Sequence, residues 1–381
     1  MKLFTMGISF LSDKKTLLEL IQPAMTAASS KSTLPALEGL LFELGETEPV
    51  LTVCGYDLEK GVKTRGTVIP KSPGAVILKA QKIASLIRML PDCDITFEAD
   101  DRNTVRISAG PNDFTLHGLT AEAFPSIPEL GGENAFCISQ SLMKEIINST
   151  CFAVSQADAR PILTGEFFRV ENRSITAVAL DNFRLAMREE KECVFDNENA
   201  FSFVVPGKSL LELSRLLRDT DDMLRVEFTA KYVIFKLDDM VLFSRLLEGE
   251  YLDYKRAIST QNKIFVKIDR KEFEDAVARA ALMVDEKSKM PLSCRFEGDT
   301  LLVAGAAHDG NGNVMLKIEK EGEDLRIGFN HRYLLDALRA SKDDEIKISL
   351  STAFGSMVIQ PVTPSDTGTY LYLVLPVKLR D

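Results

Sequence analysis

The sequence predicts an α+β fold of three tandem, similar domains, each with two helices packed on antiparallel sheets. Three observations predict this fold. A helix followed by three short strands occurs three times in the chain. A second unit, a helix followed by a loop and two strands, alternates with the first unit. The full period is about 125 residues, which is too long for a solenoid repeat and typical of a domain.

The unit of one helix and three strands is clearest at residues 207–247. Leu210, Leu213 and Leu217 recur there at helical spacing, while the charged residues between them point elsewhere. Three runs of β-branched and aromatic residues follow, at 225–228, 232–237 and 241–246. Short polar segments separate these runs, so the pattern predicts one amphipathic helix and an antiparallel meander.

Copies of this unit begin at Lys79 and Asn330. Superposing the copies brings one arginine from each helix to the same position: Arg88, Arg215 and Arg339. A helix that packs its leucines on a sheet leaves its charged face outward, so each arginine is expected to be exposed. Solvation explains any one of them, but the threefold match favours a shared function for the set.

The unit of one helix and two strands ends near an aspartate in each copy. The aspartates are Asp57, Asp181 and Asp309, and the residues expected to start the matching strands are Leu37, Leu163 and Leu292. Linker-like stretches at equivalent places in the repeat separate the copies. We therefore expect domains at 1–130, 131–259 and 260–381, the last ending in an apolar strand and a short basic tail.

Composition limits the classes of function. The chain has 381 residues and a formal net charge of −10, which argues against a protein that coats nucleic acid with its whole surface but allows a local basic face. The six cysteines form no CxxC pair, which indicates reduced, mostly buried thiols and a cytoplasmic location. No apolar run reaches the length of a membrane span, and no cleavage site follows the first apolar residues. We expect neither a membrane partner nor a signal peptide.

Motifs for catalysis or metal binding are incomplete. Gly207-Lys208-Ser209 ends like a phosphate-binding loop, but Ser202 stands where that loop needs glycine, and Pro206 lacks an N–H. The stretch DGNGN begins like a calcium loop but lacks the glycine and glutamate that follow in one, so we expect a hairpin turn. The three histidines are scattered. The sequence predicts no catalytic residue, no metal and no cofactor, with a nucleotide-using enzyme at 207–209 kept as an alternative.

Several segments together resemble one family. The tandem two-helix domains, with TLPALEGLLFEL, YDLEKG, DNFRLA and a terminal LVLPVKL, resemble the bacterial DNA polymerase III β subunits, the sliding clamps, over essentially the whole chain. The resemblance implies a non-catalytic, head-to-tail homodimer that closes into a ring around duplex DNA and tethers the replicative polymerase. It also implies a clamp loader and other clamp-motif proteins as partners. Cations on the inward helices of such a ring would meet phosphates without reading bases.

The resemblance places the partner site in a groove between domains two and three, where the family takes a short hydrophobic peptide. Carried over by position, the groove comprises Arg160, Ile162, Leu163, Leu180, Asn182, Phe183, Arg184, Leu185, Leu252, Arg256, Ala257, Tyr333, Phe354, Ser356, Leu373, Val374, Leu375, Pro376, Val377, Lys378 and Leu379. Apolar residues edged by arginines suit pockets for Leu or Phe anchors. Without the resemblance, the same segments would be explained as core strands and a frayed tail.

The resemblance also bears on ring closure and on DNA contact. In the family, an edge strand of domain one pairs with an edge strand of domain three, beside a small apolar contact. The positions of that apolar contact match Phe114, Leu282 and Met283. The residues expected to contact DNA are Lys31, which the resemblance carries over, and the repeated Arg88, Arg215 and Arg339.

The sequence departs from the family pattern at the groove. Asn182 and Phe183 replace a glycine and a histidine, and Leu252 stands where a proline is usual. Asp381 lies beyond the usual final leucine. These departures bear on the peptide preference, and Phe183 and Leu252 keep open an alternative function as a clamp-like paralogue that recruits proteins as a non-replicative scaffold.

Overall fold

The computed structural model describes residues 7–128, 131–132, 134–157, 159–191, 194–195, 200–258, 261–284, 290–308 and 310–379. The predicted domain limits near 130 and 259, together with Cys193, Asp309 and Asp381, lie outside the described residues. The chain divides into two compact units. Unit 1 is Met1–Gln140 with Asp221–Leu246, and unit 2 is Ser141–Thr220 with Leu247–Asp381.

Within the described ranges the chain forms six α-helices and 27 strands. The helices are α1 (Lys14–Met25), α2 (Ala80–Met89), α3 (Gln140–Thr150), α4 (Gly207–Leu216), α5 (Arg270–Ala281) and α6 (His331–Ala340). The strands are β1 (Ser9–Asp13), β2 (Gly39–Leu44), β3 (Val50–Tyr56), β4 (Lys60–Thr67), β5 (Ile69–Ser72), β6 (Gly74–Lys79), β7 (Asp94–Ala99), β8 (Thr104–Ala109), β9 (Asn112–His117), β10 (Asn134–Ser139), β11 (Gly165–Glu171), β12 (Ser174–Leu180), β13 (Arg184–Lys191), β14 (Val194–Phe195), β15 (Phe201–Pro206), β16 (Met223–Phe228), β17 (Tyr232–Leu237), β18 (Met240–Arg245), β19 (Ile264–Asp269), β20 (Leu292–Glu297), β21 (Thr300–Ala307), β22 (Gly310–Lys317), β23 (Glu319–Glu321), β24 (Leu325–Phe329), β25 (Glu345–Leu350), β26 (Met357–Pro361) and β27 (Gly368–Val374).

Two antiparallel sheets form unit 1. One has five strands in the order β5-β1-β7-β8-β9, and in the other eight strands follow one another as β10-β16-β17-β18-β4-β3-β2-β6. Helices α1 and α2 contribute Leu17 and Ile83 to a core that also contains Phe10, Phe42 and Phe97. The rings of Phe10 and Phe97 stack with centroids 4.7 Å apart. Burying each such side chain stabilises the unit by about 1.5–3 kcal/mol.

Two antiparallel sheets also form unit 2. The larger has nine strands in the order β15-β11-β12-β13-β27-β26-β25-β19-β23, and the smaller has four in the order β22-β21-β20-β24. In the larger sheet β13 and β27 are neighbours, with Arg184 opposite Val374 and Glu190 opposite Gly368. This register brings the turn before β13 next to the chain that follows β27.

Most of the predicted elements are confirmed. The unit at 207–247 forms α4 and the antiparallel strands β16, β17 and β18. Strands β21 and β22 pair as a hairpin, but Gly310–Asn313 of DGNGN lie in β22 and not in the turn that the sequence predicts there. The repeated arginines Arg88, Arg215 and Arg339 lie in the last turns of α2, α4 and α6, the equivalent positions that superposition of the copies predicts.

One expectation about the strand starts is wrong. Leu292 does open β20, but Leu37 and Leu163 lie in the 3₁₀ turns Pro35–Glu38 and Pro161–Thr164. Proline opens both turns, because its fixed φ suits a first helical turn and its missing N–H cannot join a ladder. Among the residues that the structure describes, no helix has the length and apolar character that a membrane span needs.

Candidate functional site

The predicted residues of DNFRLA form a tight turn between β12 and β13 of unit 2 and the first residues of β13. Asp181 Oδ1 accepts hydrogen bonds from the N–H groups of Phe183 (2.7 Å) and Arg184 (3.0 Å). The Asp181 N–H donates to Arg184 O (3.1 Å). An aspartate at this position satisfies the backbone donors of the turn with its own side chain. The turn therefore holds Asn182 and Phe183 outward, and the Arg160 guanidinium donates to Asn182 Oδ1 (3.0 Å).

Arg184 ties this turn to α6. Its Nε donates to Asp181 Oδ2 (3.2 Å), and its Nη1 pairs with Asp336. Its Cζ lies 4.6 Å from the ring centroid of Tyr333 and 5.4 Å from that of Phe152, in cation–π contacts worth about 1 kcal/mol each. On the outer side Phe183 stacks on Tyr333, with centroids 5.8 Å apart. Burial raises the pKa of Tyr333, and the nearby Asp181 carboxylate raises it further.

A buried apolar cluster lies under the turn. The 3₁₀ turn Pro161–Thr164 contributes Ile162 and Leu163, while β12 and β13 contribute Leu180 and Leu185. The other buried members are Val178, Val204, Tyr254, Val358, Leu371 and Leu373. At the edge of the cluster, Tyr251 stacks on Phe167 with centroids 5.1 Å apart, and its hydroxyl donates to Val178 O (3.2 Å).

The chain after β27 runs beside the turn. Val374 ends the strand opposite Arg184, and the Leu375 N–H donates to Phe183 O (2.8 Å). Further along, the Val377 N–H donates to Gly328 O (2.8 Å). A Cβ on Gly328 would lie 2.4 Å from Val377 O and 2.9 Å from a δ-carbon of Leu379, so the close approach of the tail requires glycine there.

The tail and its surroundings differ in exposure. Leu375 is 40% exposed and Phe354 is 83% exposed, whereas Ser356 and Leu373 are buried. Pro376 is half-buried, and Lys378 is exposed. The linker residues Leu252, Arg256 and Ala257 are exposed, and Arg256 pairs with Asp253 (2.9 Å). The structure therefore brings the turn, the apolar cluster and the tail together, and leaves Phe354 and the three linker residues on the surface of the same unit.

The predicted cations lie at exposed positions. Lys31 precedes the 3₁₀ turn Pro35–Glu38, and Arg88 ends α2, both in unit 1. In unit 2, Arg215 pairs with Glu212 (2.8 Å) and Arg339 pairs with Glu274 (3.3 Å). These pairs are solvent-exposed on the arginine side and contribute about 0–1 kcal/mol, so each arginine can exchange its partner for another anion.

A charged cavity of about 260 Å³ adjoins Arg339. Its lining includes Lys144, Lys342, Glu145 and Asp219. Burial opposes ionisation of Glu145, but Arg188 (2.7 Å) and Lys342 (3.1 Å) outweigh it and lower the pKa of Glu145. The carboxylates therefore balance part of the positive charge on this face of α3 and α6.

The residues expected at ring closure flank two sheet edges. Strand β9 is an edge of the five-stranded sheet in unit 1, and its Phe114 is 39% exposed. Strand β22 is an edge of the four-stranded sheet in unit 2. Leu282 follows α5 and is 78% exposed, and a Cβ on Gly312 of β22 would lie 2.9 Å from Met283 Cγ. Each edge thus offers unpaired backbone groups beside exposed apolar side chains.

A buried acid, Glu166, lies in β11 of unit 2. Thr150 Oγ1 is 2.6 Å from Ile146 O and 2.6 Å from Glu166 Oε1. The threonine hydroxyl has one proton, and the carbonyl can only accept, so the second contact is satisfied when Glu166 is protonated and donates to Thr150. Burial raises the pKa of Glu166 to about 8. Glu166 is therefore a neutral acid at neutral pH.

The structure also bears on the sequence motifs for catalysis and metal binding. The phosphate-loop-like stretch is the plain start of α4 at Gly207. In the described ranges, no group of three His, Cys, Asp or Glu side chains is arranged to hold a metal ion. Burial raises the pKa of Cys54 and of Cys294 to about 12, which is typical of inert, reduced thiols.

Sequence reasoning missed several residues that build the site. Asp336 and Phe152 hold Arg184, Tyr251 and Tyr254 close the apolar cluster, and Gly328 admits the tail. The aromatic pair in EYLDY was a signal for the two tyrosines. The others come from distant parts of the chain and carry no local pattern.

Comparisons with known proteins find relatives along almost the whole chain. Residues 8–128, 137–253 and 255–377 match the N-terminal, central and C-terminal domains of the DNA polymerase III beta subunit. The beta sliding clamp of Bacillus subtilis (strain 168) is 31% identical over 382 residues, covering 97% of this chain and 100% of the relative. That of Halalkalibacterium halodurans is 32% identical, covering 97% and 99%. The crystal structure of the DNA polymerase sliding clamp from Bacillus subtilis is similar with a TM-score of 0.92 at 29% identity, covering 99% of this chain and 100% of that one.

Proposed function

The chain belongs to the family of DNA polymerase III β subunits, the sliding clamps, and on that premise we propose how its surfaces serve that function. A sliding clamp is a non-catalytic subunit that confers processivity on a DNA polymerase during replication, and this is the function of the chain. The relatives support it and not the non-replicative scaffold. Work on chromosomal DNA would place the protein in the cytoplasm.

One observation carries the proposal for the partner site. In unit 2 the exposed apolar side chains of Phe183 and Leu375 lie beside a buried apolar cluster. Arg184 fixes the turn at 181–184, which carries Phe183, to α6. A rigid apolar rim over an apolar floor suits a Leu or Phe anchor, because such an anchor loses its water without leaving a polar group unpaired. We assign this groove to a short hydrophobic peptide from the polymerase, the clamp loader and other clamp-binding proteins.

The departures from the family pattern set the character of this groove. Phe183 lies flat on Tyr333, which in turn lies on the Arg184 guanidinium, so the rim has an aromatic wall that cannot turn away freely. Asn182 is held by Arg160 beside that wall. A side chain packed on a stacked aromatic face gains about 0.5–1.5 kcal/mol beyond its area burial if it is aromatic itself. We expect this clamp to favour peptides with an aromatic residue at that place.

The ring requires two copies. We propose that β9 of one protomer pairs with β22 of its partner, and that Phe114 packs on Leu282 and Met283 across this pairing. The unpaired backbone groups of both edges and the exposed apolar side chains beside them support the pairing. Head-to-tail contact of this kind is heterologous, and two copies close into a ring when the rotation between them is a half turn.

DNA would pass through this ring. We propose that Lys31, Arg88, Arg215 and Arg339 face the duplex and contact phosphates without reading bases. All four side chains are exposed, and the three arginines hold equivalent places at helix ends, which supports this assignment. The net charge of −10 keeps the rest of the surface from holding DNA, so the attraction is weak enough to allow sliding.

Peptide titration tests the groove. The probe is a fluorescein-labelled pentapeptide that carries a Leu and a Phe anchor, and the variant is Leu375→Ala with Pro376→Ala. Loss of a desolvated anchor contact costs about 2 kcal/mol or more, so binding should weaken by about 30-fold or more. Leu211→Ala removes an equally exposed leucine from α4 of the same unit and should leave the affinity unchanged. Equal affinities for the two variants would show that the groove lies elsewhere.

A further inference from the structure

Unit 1 contains a second copy of the turn that builds the groove. Asp57 Oδ1 accepts hydrogen bonds from the N–H groups of Glu59 (3.0 Å) and Lys60 (2.7 Å), and the Asp57 N–H donates to Lys60 O (3.1 Å). These are the hydrogen bonds that Asp181 makes in the groove. The turn at 57–60, together with β4 and β18, is called the first junction. The turn at 181–184, together with β13 and β27, is called the second junction.

The surroundings of the two turns match as well. Strands β4 and β18 pair with Lys60 opposite Ser244, as β13 and β27 pair with Arg184 opposite Val374. The Arg245 N–H donates to Glu59 O (2.7 Å), as the Leu375 N–H donates to Phe183 O (2.8 Å). The Leu37 N–H donates to Leu34 O (3.0 Å), as the Leu163 N–H donates to Arg160 O (3.0 Å). The backbone that forms the groove in unit 2 is thus also present in unit 1.

Among the equivalent positions whose side chains differ, five concern the floor and the rim of the groove. In chain order, the second junction has Leu180, Phe183, Leu185, Leu373 and Leu375 at these positions. In the same order, the first junction has Tyr56, Glu59, Gly61, Phe243 and Arg245. Three of these replacements concern the floor, and two concern the rim.

Aromatic rings fill the floor of the first junction. A Cβ on Gly61 would lie 2.1 Å from Phe243 Cζ, so the Phe243 ring occupies the space that the Leu185 side chain takes in the groove. The Tyr56 ring lies 5.5 Å from that of Phe243 and 6.5 Å from that of Phe124, measured between centroids. Tyr56 and Phe243 are both buried. Close-packed rings leave no room for a further anchor.

Charge replaces the apolar rim of the first junction. Glu59 and Arg245 are exposed where the groove has Phe183 and Leu375. A Leu or Phe anchor laid against them would cover charged groups without offering a hydrogen bond, which costs free energy. The floor and the rim therefore both oppose a hydrophobic peptide.

We infer that the first junction is a closed copy of the groove, and that these five side chains decide which junction accepts the hydrophobic peptide. The inference rests on the proposed groove in the second junction. The five side chains set which junction binds the peptide, and the backbone of either junction has the geometry to form a peptide groove.

A graft tests the inference in the full chain. In the Leu375→Ala, Pro376→Ala background, the first junction receives Tyr56→Leu, Glu59→Phe, Gly61→Leu, Phe243→Leu and Arg245→Leu. The fluorescein-labelled pentapeptide should bind again, with one site per protomer and an affinity within about tenfold of the wild type. A graft that melts and dimerises like its background but does not bind overturns the inference. If instead the wild type fails to bind, or the background still binds, the proposed groove itself fails.

A measurement on the wild type keeps the test independent of the graft. Hydrogen–deuterium exchange is followed with and without saturating pentapeptide. Protection should rise at 181–184 and remain unchanged at 57–60, and titration should give one peptide per protomer. Protection at 57–60, or two peptides per protomer, would contradict a closed first junction.

Discussion

Glu166 offers a prediction whose size follows from the structure. The carboxyl group is buried, its Oε2 has no hydrogen-bond partner among the described residues, and its Oε1 contacts the Thr150 hydroxyl at 2.6 Å. Burial raises the pKa from 4.5 to about 8 in the folded protein. The folded state therefore binds a proton more tightly than the unfolded state between these values.

The sign and the magnitude follow from linkage. Below pH 4.5 both states hold the proton, so the contribution of Glu166 to stability is fully present. As the pH rises from 4.5 to the folded pKa, the contribution is lost at about 1.4 kcal/mol for each pH unit, and the loss levels off once the pH has risen through the folded pKa. The raised pKa thus predicts a total loss of about 5 kcal/mol, complete above pH 8, of which about 3 kcal/mol is already lost at pH 7.

Glu166→Gln tests this by removing ionisation while keeping a donor for Thr150. The free energies of unfolding of the wild type and the variant are compared from pH 5 to pH 8. They should be close at pH 5, and the variant should become more stable by about 3–4 kcal/mol as the pH reaches 8. Glu46→Gln, at an exposed site, should follow the wild type throughout. A difference between wild type and Glu166→Gln that stays constant with pH would refute a protonated Glu166.

Three further predictions concern the ring, the DNA path and the tail. Phe114→Asp should give folded monomers in analytical ultracentrifugation, because a charge would be buried at the apolar contact, and a persistent dimer would contradict this interface. Changing Arg88, Arg215 and Arg339 together to glutamate should lower processive synthesis at least about tenfold while peptide affinity stays the same; unchanged processivity would show that these residues do not meet DNA. Gly328→Ala should displace the tail, since its Cβ would lie 2.4 Å from Val377 O, and weaken peptide binding by about tenfold; equal affinity would mean that the tail position does not matter.

The sequence predicts those parts of the fold that local patterns encode. The leucine spacing of α4 and the alternation in β16 to β18 are visible because neighbouring residues share one face. Repetition added information that no single copy carries: it placed Arg88, Arg215 and Arg339 at equivalent helix ends. It failed at Leu37 and Leu163, where a preceding proline converts an apparent strand start into a 3₁₀ turn.

The interior of the candidate site could not be predicted in the same way. Arg184 and its partner Asp336 are 152 positions apart, and the charged face of α6 gives no sign that one of its carboxylates serves a distant turn. Gly328 is one of 22 glycines, and only the docked tail shows why a side chain is excluded there. The position of a pairing partner depends on the register of the sheets, which the sequence does not display.

The most direct test of the sliding-clamp account is retention on nicked circular duplex DNA. The chain is loaded with its clamp loader and ATP, washed at high salt, and the circle is then linearised. A topological link survives the wash, because it does not depend on counterion release, and is lost only through a free end. The account predicts survival in salt followed by release on cutting. Loss in the wash, with a loader that retains a reference clamp under the same conditions, would contradict it.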